Sequence, residues 1–557
     1  MGDVEHFSTS NGIEIPGNSV KRTFEKLKNE STSSGSTHSS NASRRSSRDS
    51  SSDGEILAKV VDFKCQAEEL GKQIIDNFET QFQDMVDSFT VNEACQKRKK
   101  KQQNDHDKNG DKIFHNRDSY LTDLFNITHI QSIYNVFIAV LFVFFLNTAV
   151  ADFLDNKKIL DLSFLAWGLG DVSLLIWNWV LLQGYVLLLY PLLAAFTSNQ
   201  FSSMKLPCTV WGVVYLVYIS YLLYFPVAAM FEYQLMPIAS VILACEQVRF
   251  IMKVHAFVRV NAGRLIEYTS DQYKHKKDDD FDDESVEPFE LAGFSQYLYF
   301  LFIPTLIYRD HYPMTPSIRW NFVVVNLVQV LGCVFYTYFM LSKFAAPLFR
   351  KTGMEPGNLR TLVLSAFSCM LPGILVLLVG FFAILHSWMN AFAEMMRFGD
   401  RMFYRDWWNS NSFSSYYRMW NVVVHDWLYT YIYRDLLYLV GHRYRSAAAT
   451  SVFLISALVH EYILGLTFRF FYPALFFMFG GVGWLFFFLK PKKGNMNPLW
   501  NIYLWTSLCM GSGILMTMYS VEWFAKQNCH RDYANWVDYF LPYSFDSSCI
   551  QWQWKTS

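Results

Sequence analysis

The chain has 557 residues, 52% of them hydrophobic and 18% aromatic, with only 17% charged. Soluble domains carry about 25% charged residues, so this deficit places most of the chain in a membrane. A formal net charge of −1 argues against nucleic-acid binding, and nine Cys with no CxxC pair and no Cys/His cluster argue against a structural metal.

Residues 1–55 are polar and Ser-rich, a composition that cannot bury enough apolar surface to fold, so a disordered cytosolic tail is expected. With no apolar core segment in that stretch, no secretory leader is expected, and the first transmembrane helix does the targeting. Over 56–95 the pattern changes. Ile56, Val60, Phe63, Ala67, Leu70, Ile74, Phe78, Phe82, Met85 and Phe89 recur at steps of three or four, with one stutter near Gly71. Such a stripe fits a helix lying on the rest of the protein or a self-association helix. Residues 96–129 form a basic linker beginning Lys97-Arg98-Lys99-Lys100-Lys101.

Windows of about 20 residues then give nine spans: 130–151, 172–196, 206–225, 227–245, 321–341, 362–385, 447–470, 473–489 and 500–520. The fold class expected is an all-α polytopic membrane protein enclosing an intramembrane chamber, with its membrane domain at 130–520. The third and fourth spans are divided only by Pro226. Positive charge before the first span, at Arg249, Lys253, Arg259 and Arg264, and in the loop 391–446 marks the cytosolic face. An odd number of spans then puts the tail 521–557 in the lumen. Cys529 and Cys549 lie there, 20 residues apart on the oxidising side, and are expected to form a disulfide.

The loop 391–446 opens with Phe403-Tyr404-Arg405-Asp406-Trp407-Trp408-Asn409 and continues through Asn421-Val-Val-Val-His425-Asp426-Trp427. Downstream, His460-Glu461 sits in a segment otherwise apolar enough to cross a bilayer, and ionisable residues there mark functional sites by default. The FYRDWWN motif, with an Asn and a membrane-embedded His beyond it, resembles the membrane-bound O-acyltransferase family. The likeness runs from roughly Ile130 to Cys549. It is strongest to the branch that esterifies sterols and diacylglycerol with fatty acyl-CoA. Tyr308-Arg309-Asp310 and Asn421–Trp427 look like the sterol enzymes within that branch. The resemblance implies an acyl-CoA-dependent sterol O-acyltransferase of the endoplasmic reticulum membrane. It also implies a homo-oligomer, dimer or tetramer, assembled through the N-terminal helix, as in related sterol enzymes. Acyl-CoA is then a substrate, and no cofactor is expected.

O-acylation needs a hydroxyl made attackable beside a thioester, and a base within hydrogen-bond reach to take its proton. His460 is the expected base, kept neutral by burial, since its ordinary pKa of about 6.5 lies near working pH. Glu461 points about 100° away on a helix and is expected to pair elsewhere. Asn421 either donates to the thioester carbonyl as oxyanion charge develops or positions the hydroxyl. Ser456, one helical turn before His460, either orients it or lines the acyl channel. Phe403, Tyr404, Asp406, Trp407, Trp408 and Asn409 form the motif. Its Trp pair is expected to pack between helices, and Asp406 and Asn409 to fix a turn and frame the entrance. Arg418, Arg443 and Arg445 offer cations for CoA phosphates, and Tyr417, Trp420, His425 and Tyr433 offer rings for the nucleotide and pantetheine. No GxSxG elbow is present, so direct transfer is favoured over an acyl-enzyme. The alternatives are a diacylglycerol or fatty-alcohol acyltransferase of the same family and, outside enzymes, a polytopic transporter.

Overall fold

The computed structural model describes residues 111–157, 162–200, 207–275, 289–489, 498–529, 531 and 535–553, together with Glu69. The Ser-rich tail, the 56–95 stripe and the basic run at 97–101 lie outside the described residues, Glu69 apart. All the other described residues belong to one compact unit, Gln103–Ser557.

Among the described residues that unit is helical, with a single two-residue parallel strand pair, Gly357–Asn358 against Trp552–Gln553. In chain order the helices used below are α1 (Thr128–Asn156), α2 (Val172–Leu187), α3 (Leu189–Gln200), α4 (Cys208–Glu232), α5 (Pro237–His275) and α6 (Phe294–Phe302). They continue as α7 (Trp320–Phe339), α8 (Leu359–Ser368), α9 (Met370–Phe381), α10 (Phe413–Trp420), α11 (Val422–Trp427) and α12 (Arg434–Val440). The last are α13 (Arg445–Phe468), α14 (Trp484–Phe488) and α15 (Pro498–Asn528). Among the described residues four π-helical turns, Met340–Ala345, Phe382–Trp388, Leu428–Tyr433 and Phe476–Gly483, interrupt or extend these rods.

Six helical segments among the described residues are long and apolar enough to cross a membrane: Thr128–Leu154, Leu165–Gln200, Cys208–Glu232, Trp320–Phe349, Met370–Met395 and His442–Phe468. They coincide with six of the nine expected spans. The other three are helical but different in kind. The 227–245 window straddles a turn and enters α5, which carries Glu246, Arg249 and Lys253. The 473–489 window becomes a π turn plus α14, and 500–520 lies within the longer α15.

Two boundaries differ from the expected ones, each for a physical reason. Pro226 does not end α4. The proline removes the N–H that would bond the Leu222 carbonyl, and Gln247 of α5 supplies a substitute donor, reaching the Leu222 carbonyl at 3.1 Å and the Leu223 carbonyl at 2.7 Å. Inside a membrane such replacement partners are what let a helix keep a proline. The chain turns instead at Tyr233–Met236, with Gln234 in the left-handed region at φ 49°. The expected span 362–385 is likewise two pieces, α8 and the rod from Met370 to Met395, divided at Cys369.

Lys253 also differs from expectation. It is buried, and its Nζ donates to the carbonyls of Phe300 at 2.5 Å and Ile303 at 2.8 Å. It therefore caps the C-terminus of α6 rather than sitting as a solvated charge at the membrane edge. Gly373 of α9 packs against the backbone of α15, where an added Cβ would lie 2.8 Å from the Ser512 carbonyl oxygen. Such small-residue contacts are how membrane helices approach closely.

Candidate active site

The FYRDWWN loop is held by its backbone before its side chains matter. Arg405 N–H donates to the Met419 carbonyl and Val422 N–H to the Phe403 carbonyl, both at 2.9 Å, which pins the motif along the α10–α11 junction. Asn409 N–H closes a turn onto the Asp406 carbonyl at 3.0 Å. Phe403, Tyr404 and Trp407 are buried, Asp406 and Trp408 are half-buried, and Asn409 is exposed. Trp407 lies among Phe381, Trp420 and Trp505, with ring centroids 5.0, 4.6 and 5.7 Å away. The Trp408 carbonyl accepts from Asn501 at 2.9 Å and Trp505 at 3.2 Å, both on α15. The Trp pair thus packs between helices.

One buried network at this loop was not anticipated. Tyr404 Oη shares a 2.7 Å hydrogen bond with Nδ1 of His386, and Ser119 and Asn390 complete the cluster. His386 is in the π turn Phe382–Trp388, one residue beyond the expected end of the 362–385 span. The apolar helix runs on to Met395, so His386 is, like His460, an ionisable side chain within a membrane-length segment.

His460 is on α13. Its Nδ1 lies 2.7 Å from the backbone carbonyl oxygen of Ser456. A carbonyl only accepts, so Nδ1 carries a hydrogen, and in the neutral ring the lone pair is then on Nε2. Two expectations change. The Ser456 backbone, not its hydroxyl, meets the ring, and the imidazole is exposed rather than buried. Glu461 is buried on another face, where it accepts from Phe476 N–H at 2.9 Å and Tyr519 Oη at 2.9 Å.

Asn421 caps α11, its Oδ1 accepting from Val424 N–H at 3.1 Å. Its side-chain NH2 remains as a donor. Tyr417, one helical turn earlier, lies 5.2 Å from Phe479, and Phe479 lies 5.6 Å from His460. Phe453 is against both Tyr417 and Phe479. The structure therefore brings Tyr417 and His460 to one aromatic cluster, while Asn421, in extended backbone at the α10–α11 junction, has no hydrogen bond to it among the described residues. Gly483 makes room there, since a Cβ at that position would sit 2.6 Å from Tyr417 Oη.

The cations sort into two sets. Arg259 pairs with Asp435, Arg264 with Asp310, and both Arg309 and Arg434 with Asp111. Arg418, Arg443 and Arg445 are exposed and make no ion pair among the described residues. His425 is 3.3 Å from Asp426, whose other partner is Lys112 at 2.5 Å. Burial pushes the Asp426 carboxyl up, but the Lys112 charge and the hydrogen bonds from His425 and Lys112 outweigh it, leaving the group at about 2. His425, Tyr429 and Tyr433 form a ladder of near-parallel rings with successive separations of 6.5 and 5.6 Å. Between α12 and α13 lies a cavity of about 410 Å³, lined by Leu436, Val440, Tyr444, Ala447, Ala448 and Ser451. Cys529 and Cys549 are joined as a disulfide, with Cα atoms 5.4 Å apart.

Residues 192–521 match the family model for the membrane-bound O-acyltransferase family. A mouse protein named sterol O-acyltransferase 1 is 44% identical over 77% of this chain and 78% of its own length. A hamster (Cricetulus griseus) protein of the same name is 38% identical over 93% of this chain and 97% of its own. Human sterol O-acyltransferase 2 is 41% identical over 78% of this chain and 80% of its own.

Proposed function

This chain belongs to the membrane-bound O-acyltransferase family, and we propose that within it the protein transfers a long-chain fatty acyl group from acyl-CoA to the 3-hydroxyl of cholesterol or a related sterol. The observation that carries this reading is the likeness to sterol O-acyltransferases at 38% identity across 93% of the chain. The alternative acceptor is diacylglycerol. Purified protein is given radiolabelled oleoyl-CoA with equal cholesterol and diacylglycerol in mixed micelles. Cholesteryl oleate is the expected main product, and a triacylglycerol majority would overturn the sterol assignment.

In this mechanism His460 Nε2 takes the proton of the sterol hydroxyl. The oxygen then attacks the thioester carbonyl, and the Asn421 amide donates to the oxyanion that forms. Collapse expels the CoA thiolate, which recovers the proton from the imidazolium. Proton and electron pair balance with no acyl-enzyme. The Ser456 carbonyl contact supports the base role, because it leaves the acceptor nitrogen free. Exposure of His460 suits a ring that opens onto a substrate chamber. Arg418, Arg443 and Arg445, unpaired among the described residues, supply charge for the CoA phosphates. The His425–Tyr433 ring ladder offers a stacking surface, and the 410 Å³ apolar cavity suits a pantetheine arm or acyl chain.

We further propose nine spans in the endoplasmic reticulum membrane, with the N-terminal side cytosolic and the C-terminal side luminal. The Cys529–Cys549 bridge supports an oxidising environment for that end. The 56–95 stripe is proposed to assemble the protein into a homo-oligomer. Deleting residues 1–95 is expected to lower the mass of the particle in detergent while leaving a folded, partly active membrane part. Unchanged mass on light scattering would refute the assembly role.

A further inference from the structure

A second cavity lies at the end of α13 opposite Arg443 and Arg445, about 36 Å along a helix of this length. It measures about 260 Å³ and is formed where three helix ends meet, with Arg469, Lys526, Gln527, Trp167, Trp523 and Met236 among its walls. None of the acyl-transfer residues lines it.

Among the described residues its walls carry two cations and no carboxylate. Arg469 donates to Gln234 Oε1 and to the carbonyls of Met230 at 3.2 Å and Leu235 at 2.5 Å. Lys526 donates to the Arg469 carbonyl at 2.7 Å. Every one of these partners is neutral, and neither cation has an ion pair among the described residues. The nearby carboxylates are committed elsewhere. Glu522 accepts from the backbone N–H groups of Tyr543 and Ser544, and Asp538 accepts from Arg531 and Tyr543. Arg469 has only dipoles for company, while Lys526 lies 5.9 Å from the Phe470 ring and feels Asp538 and Glu522 only through space, a costly arrangement for partly buried cations without an anion in contact.

The backbone adds an independent sign. Arg469 holds a left-handed conformation at φ 56°, and its partner Gln234 does the same at φ 49°. Glycine is the usual residue at such a helix end. A long cation kept in that strained position points to use of its side chain. Trp167 and Trp523 meet edge to face at 6.0 Å beside the cations, the amphipathic ring type that settles at headgroup level.

We propose that this cavity binds the phosphate of an anion at the membrane boundary, from a phospholipid headgroup or from free phosphate. Its volume falls below the roughly 300–1,000 Å³ of pockets that bury a drug-sized ligand. It therefore takes a headgroup and leaves acyl chains outside.

The test is a thermal-unfolding titration of full-length protein in detergent, with phosphatidylglycerol or phosphatidylcholine in mixed micelles, and separately with inorganic phosphate. Phosphatidylglycerol is expected to raise the midpoint more than phosphatidylcholine does. Lys526→Met should shift half-saturation about tenfold, the weight of one charged hydrogen bond. Gln527→Glu leaves both cations and their hydrogen bonds in place, puts a negative charge at the exposed rim, and should weaken binding similarly. It decides the matter if Lys526→Met does not fold. A rise reproduced by millimolar phosphate identifies a soluble anion as the source, and a rise with lipid alone identifies the headgroup. If neither ligand moves the midpoint, or the variants titrate like the parent protein, the proposal fails.

Discussion

His460→Ala lowers turnover by at least about 10²–10⁴-fold, the range for loss of a general base. Protein level and thermal midpoint should barely move, because the ring is exposed and substitutions away from packed features usually change stability by about 0.5 kcal/mol or less. Asn421 needs a more careful experiment, since it has two jobs. Its Oδ1 caps α11, and removing a cap costs about 1 kcal/mol. Its NH2 is the proposed oxyanion donor, an interaction whose loss costs about 2.7–4 kcal/mol. Asn421→Asp separates them, because Asp caps as well as Asn but donates nothing. That variant should unfold like the parent and still lose roughly 10²–10³-fold in kcat. If both residues serve one transition state, Asn421→Asp should add little to His460→Ala. A stable, abundant His460→Ala protein near full activity would end this mechanism, and independent, multiplying losses would place Asn421 outside it. Acyl-CoA binding should largely survive in all three proteins, because the proposed nucleotide contacts lie on other residues.

The sequence was most legible where one physical signal acted alone. Long apolar runs became the six membrane-length helices, and the tryptophan-rich motif became a packed knot between helices. Two cysteines beyond the last apolar run became a disulfide. Misreadings arose where a distant partner decided the outcome. Pro226 looked like a break until Gln247, 21 positions away, supplied the missing donor. Lys253 looked like a boundary charge, yet the C-terminus of α6 takes it up. His386 lay one residue past an underestimated span end. Burial of His460 was expected from the hydropathy of its neighbours, but hydropathy along a helix does not say which side chains stay exposed. The hydrogen on Nδ1 of His460 is set by the Ser456 carbonyl, a backbone partner that no side-chain pattern signals.

Glu394→Ala should be the most destabilising single change near the motif. Glu394 is completely buried, and its carboxylate meets Arg401 Nη1 at 2.7 Å and Arg319 through the backbone N–H at 2.7 Å and the guanidinium at 2.8 Å. Arg319 is half in solvent and can rehydrate, but Arg401 is only 1% exposed and cannot. Removing the carboxylate leaves the buried guanidinium with only the half-exposed Asp118, 3.9 Å away, a loss of about 3–5 kcal/mol for a broken buried pair. The damage should reach the active site. Arg401 N–H donates to the Arg117 carbonyl at 3.1 Å, Phe403 N–H donates to the Arg401 carbonyl at 2.9 Å, and Arg117 itself pairs with Asp400 at 2.8 Å. The motif loop therefore loses its anchor, and activity should fall together with the unfolding midpoint measured in detergent. The diagnostic control is the double variant Glu394→Leu with Arg401→Met. Replacing a whole buried pair by apolar groups of similar size is often neutral or stabilising, so the double variant should recover most of the midpoint. An unshifted midpoint for Glu394→Ala would show that Arg401 reaches water in the membrane-embedded protein. A double variant no better than Glu394→Ala would show that the pair's hydrogen bonds, rather than charge compensation, hold the loop.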